Sequence, residues 1–350
     1  MKIKDARVLV VGGAGFVGAN LVRRLLEDTD ASIVVVDNLL SSERHNVPSD
    51  DRIEFIEESI NDVVSDLGTD FDQVFHLATY HGNQSSMANP MADHEHNLLT
   101  TLSICEAFAG AERLKKLVYA SAGCTVAHKT RDVPEATQED APISAYHDSP
   151  YQISKVVGEF YLNYYWRQYD LPGVKARFQN VYGPGEILGA GQWRGTPATV
   201  WRNVVPTFVY RALKGMPMVL HNGGDVSRDF IYVDDIVRGL VLCAQEGEPG
   251  GVYNLASGTE TTISDLAKII AASVDNEVKF EVTPGRPWDR SGRRYGSTEK
   301  SQRELGFRAE TTLDDGIRST VSWTQENMDR IDRAIARHSD RVAIPAATTI

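Results

Sequence analysis

The stretch VLVVGGAGFVGANLV, residues 8–22, joins an apolar strand to a glycine-rich turn that opens a helix. Gly13, Gly15 and Gly18 follow the strand with the spacing Gly-x-Gly-x-x-Gly. Such glycines allow a tight turn and a close backbone approach, so that a pyrophosphate can lie at the helix N-terminus. Asp37 ends the next strand, where an acid accepts hydrogen bonds from the adenosine ribose and repels a 2′-phosphate. This stretch predicts a dinucleotide site that takes NAD rather than NADP.

The first 180 residues alternate short apolar runs with longer helical patterns. The runs are almost continuously apolar, as expected for parallel strands that helices cover on both faces. They are RVLVV (7–11), SIVVV (32–36), IEFI (53–56), QVFHL (73–77), KLVYA (116–120) and GVKARF (173–178), with helical patterns at 15–28, 91–109 and 151–168. We therefore predict an α/β fold with a Rossmann-like, doubly wound parallel sheet.

The remaining chain is more mixed and predicts a second, smaller part. Helical patterns occur near 200–214, 234–246 and 262–274, between short strands and a loop rich in Gly, Trp and Arg. We predict an NAD-binding domain over 1–180 and a smaller α/β substrate-binding lobe over 181–342, at the C-terminal edge of the sheet and interleaved with the first domain. Residues 343–350 are expected to form a disordered tail.

Composition narrows the class of protein. The 350 residues carry a net charge of -12, which argues against general binding of nucleic acid or anionic membranes. No apolar run is long enough for a membrane span, and the N-terminus enters a strand without the pattern of a secretory signal. The three cysteines lie in unrelated contexts and suggest neither a disulfide framework nor a metal site. We expect a cytoplasmic protein.

A second motif, SPYQISKVVGEF (149–160), places Tyr151 and Lys155 four residues apart on one face of a helix. A phenol has a pKa near 10 and is a poor base at neutral pH. A neighbouring ammonium group and a nicotinamide cation both favour the phenolate, which makes Tyr151 a usable acid and base for a sugar hydroxyl.

These motifs, in this order, resemble the extended short-chain dehydrogenase/reductase family, in particular its NAD-dependent nucleotide-sugar epimerases and dehydratases. The likeness is strongest to UDP-glucose/UDP-galactose 4-epimerases. In the family pattern G-x-x-G-x-x-G the matching glycines are Gly12, Gly15 and Gly18. The resemblance implies further cofactor contacts from Phe16, Val17, Asp37, Asn38, Ile60, Leu77, Ala78, Thr79, Asn97, Tyr151 and Lys155.

The resemblance also implies a bound nucleoside-diphosphate sugar, with UDP as the family's usual nucleotide. NQSSMANP matches the loop that brings a serine to the substrate, here Ser86, and His81 lies on the same loop. The other substrate residues that it implies are Asn180, Asn203, Val204, Arg228, Arg286 and Asp289. Family members often form homodimers through helices that correspond to 91–109 and 151–168.

The stretch LVYASAGCTVA, residues 117–127, departs from the family pattern. Ala122 stands where family members carry the Ser or Thr that bridges Tyr and the sugar O4. A one-residue slip makes Ser121 the working hydroxyl, Thr125 is the other candidate, and both could instead only bond the turn backbone.

Residues 123 and 124 bear on which reaction of the family the protein catalyses. The Asp-Glu pair of the dehydratases is replaced by Gly123 and Cys124, which disfavours 4,6-dehydration. Cys124 falls where GDP-mannose 3,5-epimerases carry an acid/base cysteine, and a thiol of lowered pKa can remove a proton beside a ketone. The alternative is an inert thiol that fills a tight turn.

We therefore expect an NAD-dependent epimerase that inverts C4 of a UDP-hexose through a transient 4-keto sugar. Inversion at C3 or C5 through Cys124 is the leading alternative. A sugar-nucleotide oxidoreductase and an NAD-binding regulatory protein without catalysis are the others.

Overall fold

The computed structural model describes residues 6–123, 135–289 and 292–342. Seven parallel strands form the main sheet in the order β11-β6-β5-β4-β1-β2-β3, and six further strands form three two-stranded sheets. The strands are β1 (Arg7–Val11), β2 (Ser32–Val36), β3 (Ile53–Ile56), β4 (Gln73–His76), β5 (Lys116–Ala122), β6 (Gly173–Phe178), β7 (Asn180–Tyr182), β8 (Met218–His221), β9 (Ser227–Arg228), β10 (Phe230–Tyr232), β11 (Val252–Leu255), β12 (Thr261–Thr262) and β13 (Phe280–Thr283).

Helices cover both faces of the main sheet. The α-helices of the described residues are α1 (Phe16–Asp28), α2 (Ile60–Val63), α3 (Asn83–Ala88), α4 (Pro90–Asp93), α5 (Thr100–Ala107), α6 (Pro150–Tyr169), α7 (Val204–Leu213), α8 (Val233–Glu246), α9 (Ile263–Ala272), α10 (Glu299–Leu305), α11 (Leu313–Glu326) and α12 (Met328–Ala336). Residues of α1 and α8 pack on one face of the main sheet, and residues of α5 and α6 pack on the other. Among the residues described, no helix has the length and apolar character that crossing a bilayer requires.

The side chains of Val8–Val11 in β1 alternate between two cores, which explains why these four consecutive residues are apolar. Val8 and Val10 pack into one core with residues of α1 and α8, whereas Leu9 and Val11 pack into a second core with residues of α5 and α6. A strand with two buried faces needs apolar side chains on both. The predicted Rossmann-like sheet is confirmed.

The second half of the chain contributes to the same sheet. β11 pairs with β6, and α8 packs against α1 on one face of the sheet. A separate core joins α7, α9 and α11 beside the small sheets. The division at residue 180 stays a prediction.

The helix predicted over 91–109 is interrupted. A π-helical segment, His94–Leu99, separates α4 from α5. The hydroxyl of Thr101 donates to the Asn97 carbonyl at 2.7 Å, and that of Thr100 donates to the His96 carbonyl at 3.0 Å. Such π segments occur frequently at functional sites, and periodicity alone does not distinguish them from α-helix.

Strand order reverses between β1 and β4, because the chain moves outward to β2 and β3 and then returns. Ligands of open α/β sheets bind outside the carboxyl ends of the strands at such a switch point. The ends of β1, β2, β4, β5 and β6 border one cavity there.

Candidate active site

The glycine turn after β1 is built for close approach of the backbone. Gly12 has φ +83°, and a Cβ on it would lie 2.5 Å from the backbone nitrogen of Ala78. A Cβ on Gly18 would lie 2.2 Å from the Gly12 carbonyl oxygen. Gly12 and Gly18 must therefore be glycine, while Gly15 caps α1 with φ -67°. The turn leaves open space at the N-terminus of α1, which fits a dinucleotide pyrophosphate.

Asp37 organises the loop at the end of β2. Its carboxylate accepts hydrogen bonds from the backbone nitrogens of Ala14 and Leu39 and from the hydroxyl of Ser42, each at 2.9 Å. Burial raises its pKa, although these hydrogen bonds lower it. Asp37 thus joins the loop to the glycine turn on the wall where an adenosine ribose is expected.

One large cavity, of about 990 Å³, extends from the glycine turn to the small sheets. Most residues predicted from the sequence line it. On the cofactor side these are Gly12, Gly15, Phe16, Val17, Gly18, Asp37, Asn38, Ile60, Leu77, Ala78, Thr79, Tyr151 and Lys155. Ser121, His81, Asn180, Asn203, Val204, Arg228, Arg286 and Asp289 line it as well.

Asn97 lies behind the cavity wall, in the π-helical segment. Its Oδ1 accepts from the backbone nitrogen of Tyr80 at 2.7 Å and from the hydroxyl of Thr79 at 3.0 Å, and its Nδ2 donates to Asp93 at 2.7 Å. Asp93 in turn accepts a hydrogen bond from Ser154 of α6. Asn97 thus connects the end of β4 to α6.

Tyr151 and Lys155 lie in the first turns of α6 and face the cavity. Lys155 is only 3% exposed, and its ammonium group donates to the carbonyl of Ala120 at 2.8 Å. Its Nζ lies 5.9 Å from the centre of the Tyr151 ring. Ser149 caps α6, and its hydroxyl accepts from the backbone of Gln152 at 3.4 Å. The helix therefore fixes both side chains at the end of β5.

Ser86, which was predicted to contact the substrate, lies beside the start of α6. It is fully buried, donates to the Asn83 carbonyl at 2.8 Å and accepts from the backbone nitrogen of Tyr151 at 3.2 Å. Ser86 therefore holds the start of α6 and does not border the described cavity. A direct contact with substrate stays a prediction.

His81 lies edge-on to Tyr151, with ring centres 6.1 Å apart. Burial, together with the charges of Arg202, Arg194 and Lys155, lowers its pKa to about 3. His81 is therefore neutral at physiological pH. It can exchange hydrogen bonds with a ligand, but it adds no charge to the cavity.

The end of β5 contacts an ion pair between α6 and β6 that the sequence analysis did not predict. Ser121 donates to Glu159 at 2.5 Å, and Arg177 contacts the same carboxylate through Nε at 2.9 Å and Nη2 at 2.7 Å. Arg177 and Glu159 are both almost fully buried, so each needs the other. The register, Ser121 opposite Arg177, could have indicated this contact.

The other two candidates from this stretch, Cys124 and Thr125, lie outside the described residues.

The side of the cavity next to the small sheets is rich in arginine. Arg228 pairs with Asp289 at 3.4 Å, and Arg286 lies over the Trp288 ring at 5.7 Å. Asn180 is exposed at the cavity and donates to the carbonyl of Asp229 at 3.2 Å.

Glu186 is a cavity residue that the sequence reading missed. Its Oε1 accepts a hydrogen bond from Asn203, the residue before α7, and its buried Oε2 has no partner among the described residues. Burial raises the pKa of Glu186 to about 7. Its only sequence signal is a position shortly after Asn180, within a loop that has no regular pattern.

Within the described ranges, no group of His, Cys, Asp and Glu is arranged to hold a metal ion.

The fold, the glycine turn and the Tyr151–Lys155 pair together define a Rossmann-type enzyme that binds a dinucleotide. The profile of the NAD dependent epimerase/dehydratase family matches residues 8–256. The chain therefore belongs to that family, and its cofactor is NAD. The predicted family, enzyme class and cofactor are confirmed.

Individual relatives resemble the chain over nearly its whole length. A UDP-glucose 4-epimerase from Mycolicibacterium smegmatis is 32% identical over 323 residues, which cover 91% of this chain and 98% of that protein. The crystal structure of the Bordetella bronchiseptica enzyme WbmF in complex with NAD+ and UDP is 52% identical, with a TM-score of 0.86 over 97% of this chain and 98% of that one. The UDP-glucose 4-epimerase of Thermotoga maritima, with UDP-glucose, is 28% identical and has a TM-score of 0.81 over 92% of this chain and 99% of that one.

Proposed function

We propose that the chain is a nucleotide-sugar epimerase that inverts C4 of a UDP-hexose and regenerates NAD in every cycle. Support comes from the UDP-glucose 4-epimerases among its relatives and from the UDP that WbmF binds. The cavity is large enough to hold a dinucleotide and a nucleotide sugar side by side.

The observation that carries the proposal is the position of Tyr151. It lines the same cavity as the glycine turn, next to the buried ammonium group of Lys155. An acid/base residue at that place faces both the cofactor side and the substrate side.

Tyr151 accepts the proton of the sugar 4-hydroxyl and returns it after inversion. The Lys155 ammonium group, held by the Ala120 carbonyl, favours the phenolate through its charge. Held at the glycine turn and beside Lys155, NAD would supply the hydride acceptor for C4 and the hydride donor for the opposite face of the keto sugar. The protein must therefore retain the cofactor and let the sugar turn.

The residues that bind the nucleotide end of the substrate in this proposal lie far from Tyr151 in the sequence. We propose that Arg228 and Arg286 bind the diphosphate of the substrate, with Asp289 on its ribose and Asn180 and Asn203 beside them. A local group of arginines attracts an anionic ligand even though the whole chain carries a charge of -12.

Proton NMR of a panel of UDP-sugars with the enzyme and NAD in heavy water tests the proposal. We expect inversion at C4 with the original proton retained there, because the hydride stays within the enzyme. Deuterium at C3 or C5 would instead show proton exchange beside a ketone and would favour inversion at those carbons, with Cys124 as the first residue to test. Net accumulation of NADH would indicate an oxidoreductase.

We also propose a homodimer that works in the cytoplasm. Ile153, Phe160 and Tyr164 on α6 are each at least half exposed, as is Met91 at 75% on α4. Such a group of exposed apolar side chains is typical of an interface. Light scattering should show a dimer, and a Phe160→Glu variant should shift it towards monomer; a monomeric parent chain would refute the dimer.

A further inference from the structure

The loop 183–203, which follows β7, packs against the loop that ends β2. The backbone nitrogen of Gln192 donates to the Leu40 carbonyl at 2.9 Å. Gly191 approaches so closely that a Cβ on it would lie 2.4 Å from the same carbonyl and 2.6 Å from Cα of Ser41. The loop 183–203 therefore touches the segment that begins with Asp37.

The same loop also reaches the first turn of α1. The side chain of Asn20 donates to the carbonyl of Pro184 at 3.2 Å, and Gly185 faces the ring of Phe16, with a Cβ position 3.7 Å away. The loop 183–203 thus contacts the start of α1, directly after the glycine turn, and also the loop after β2, and these two places border the pyrophosphate in a Rossmann fold.

Two arginines from the covering loop converge on Ser41. Arg194 donates to the hydroxyl of Ser41, and Arg202 donates through Nη1 to the Ser41 carbonyl at 3.1 Å. Arg202 also donates through Nη2 to the carbonyl of Ala190 at 2.6 Å. Arg202 lines the cavity beside Ser41 and Ser42.

These arginines retain unused donors. Arg194 is 3% exposed, and its Nε and Nη2 have no partner among the described residues; the same holds for Nε of Arg202. Burial and the neighbouring Arg202 lower the pKa of Arg194 to about 9. The carboxylates of Glu186 and Glu43 oppose the effect of burial on the pKa of Arg202, but among the described residues neither carboxylate lies within ion-pair distance of either guanidinium. Two buried like charges are costly unless an anion completes the site.

The dinucleotide is the anion that fits this place. Residues 11–20 and 36–42, which form the turn and the loop after β2, contain no Lys or Arg. A pyrophosphate bound there meets the N-terminus of α1 but no cation from these two segments. The diphosphate of the substrate has its own arginines, Arg228 and Arg286, beside the small sheets.

We infer that Arg202 binds the pyrophosphate of NAD from the loop 183–203, while Arg194 holds the Ser41 hydroxyl beside it. The loop of the substrate-binding half then holds the cofactor in place, and the retention of NAD that the proposed function requires depends on it. This inference rests on NAD binding, and its test needs no turnover.

The rate at which bound NAD exchanges with isotopically labelled NAD+ measures retention in the intact enzyme. Removing a charge-assisted hydrogen bond should raise that rate about 10- to 100-fold in an Arg202→Ala variant. Arg202→Lys keeps the charge but loses the planar donor fork, and its rate should lie between those of the parent and the alanine variant.

Ligand comparison separates this role from a structural one. In Arg202→Ala, the affinity for ADP-ribose should fall at least tenfold, while the affinities for adenosine and for UDP stay within about twofold. Arg228→Ala, the matched control, should weaken UDP and leave NAD exchange unchanged. The inference is overturned if exchange is unaffected in Arg202→Ala, if UDP alone is weakened, or if adenosine loses as much affinity as ADP-ribose.

Discussion

Two walls of the same cavity are built in different ways. The sheet wall comprises the turn Gly12–Gly18, residues 37–42, Tyr151 and Lys155, and it is fixed by strand ends and by the start of α6. The loop wall, residues 183–203, contains one short 3₁₀ turn, Pro197–Thr199, and is fixed largely by side chains that reach distant residues.

The difference predicts different responses to substitution. On the sheet wall, backbone geometry positions the reacting groups, so a single added methyl or a lost hydroxyl acts directly on cofactor or substrate. On the loop wall, buried ionisable groups hold the structure, so substitution there changes pH dependence and cofactor retention.

The largest effect is expected on the sheet wall at Tyr151. Replacement by Phe removes the acid/base hydroxyl and should lower kcat by about 10²- to 10⁴-fold. NAD content should be unchanged, because the ring and Lys155 remain. Tyr169→Phe, at the exposed C-terminal end of the same helix, is the matched control and should keep its kcat. Unchanged turnover in Tyr151→Phe would refute the mechanism, and a parent chain that binds NAD without any turnover would favour a regulatory protein.

The glycine turn gives the next largest effect. Gly12→Ala should lower the free energy of unfolding by about 3–5 kcal/mol and abolish NAD binding, because the new Cβ meets backbone atoms. Gly68→Ala is the matched control, since Gly68 has φ +66° and open space around its Cβ position. Gly68→Ala should lower the free energy of unfolding by only about 1–2 kcal/mol, which is the strain of the positive φ. If denaturant titrations gave the same loss of unfolding free energy for both variants, the close approach of the backbone at Gly12 would not be what requires a glycine there.

On the loop wall, Glu186 should make stability depend on pH. Burial raises its pKa from 4.5 to about 7, so between these values the folded chain holds a proton that the unfolded chain has lost. The free energy of unfolding should therefore fall as pH rises through this window, by up to about 3 kcal/mol relative to Glu186→Gln. Urea titrations of both proteins at pH 5 and pH 7.5 measure the difference. A constant difference would contradict the assignment.

The smallest effect is expected at Ser121, which lines the cavity at the end of β5. Ser121→Ala removes the hydroxyl that donates a hydrogen bond to Glu159. This loss should lower the free energy of unfolding by about 1 kcal/mol. If Ser121 also bridges Tyr151 and the sugar, as the sequence predicts, kcat should fall about tenfold. A lower stability with unchanged kcat would restrict Ser121 to its contact with Glu159.

The two walls also differ in what the sequence reveals. Gly12, Gly18 and Asp37 belong to one βαβ unit, and Tyr151 and Lys155 share one helix face, so patterns over short sequence distances predict them. Arg194 and Ser41 are 153 residues apart, and Glu186 meets Asn203 across an irregular loop. Their contacts depend on tertiary packing, which no local pattern encodes. The π-helical segment around Asn97 was missed for a related reason, since its apolar spacing is close to that of an α-helix.

The central claim is that the hydride removed from C4 stays in the active site and returns to the same sugar. Mass spectrometry of a mixture of C4-deuterated UDP-hexose and ¹³C-labelled, undeuterated UDP-hexose tests it directly. The account predicts that each epimerised product keeps the C4 isotope of the molecule from which it formed. Deuterium in the ¹³C-labelled product, or its loss to solvent, would contradict the account.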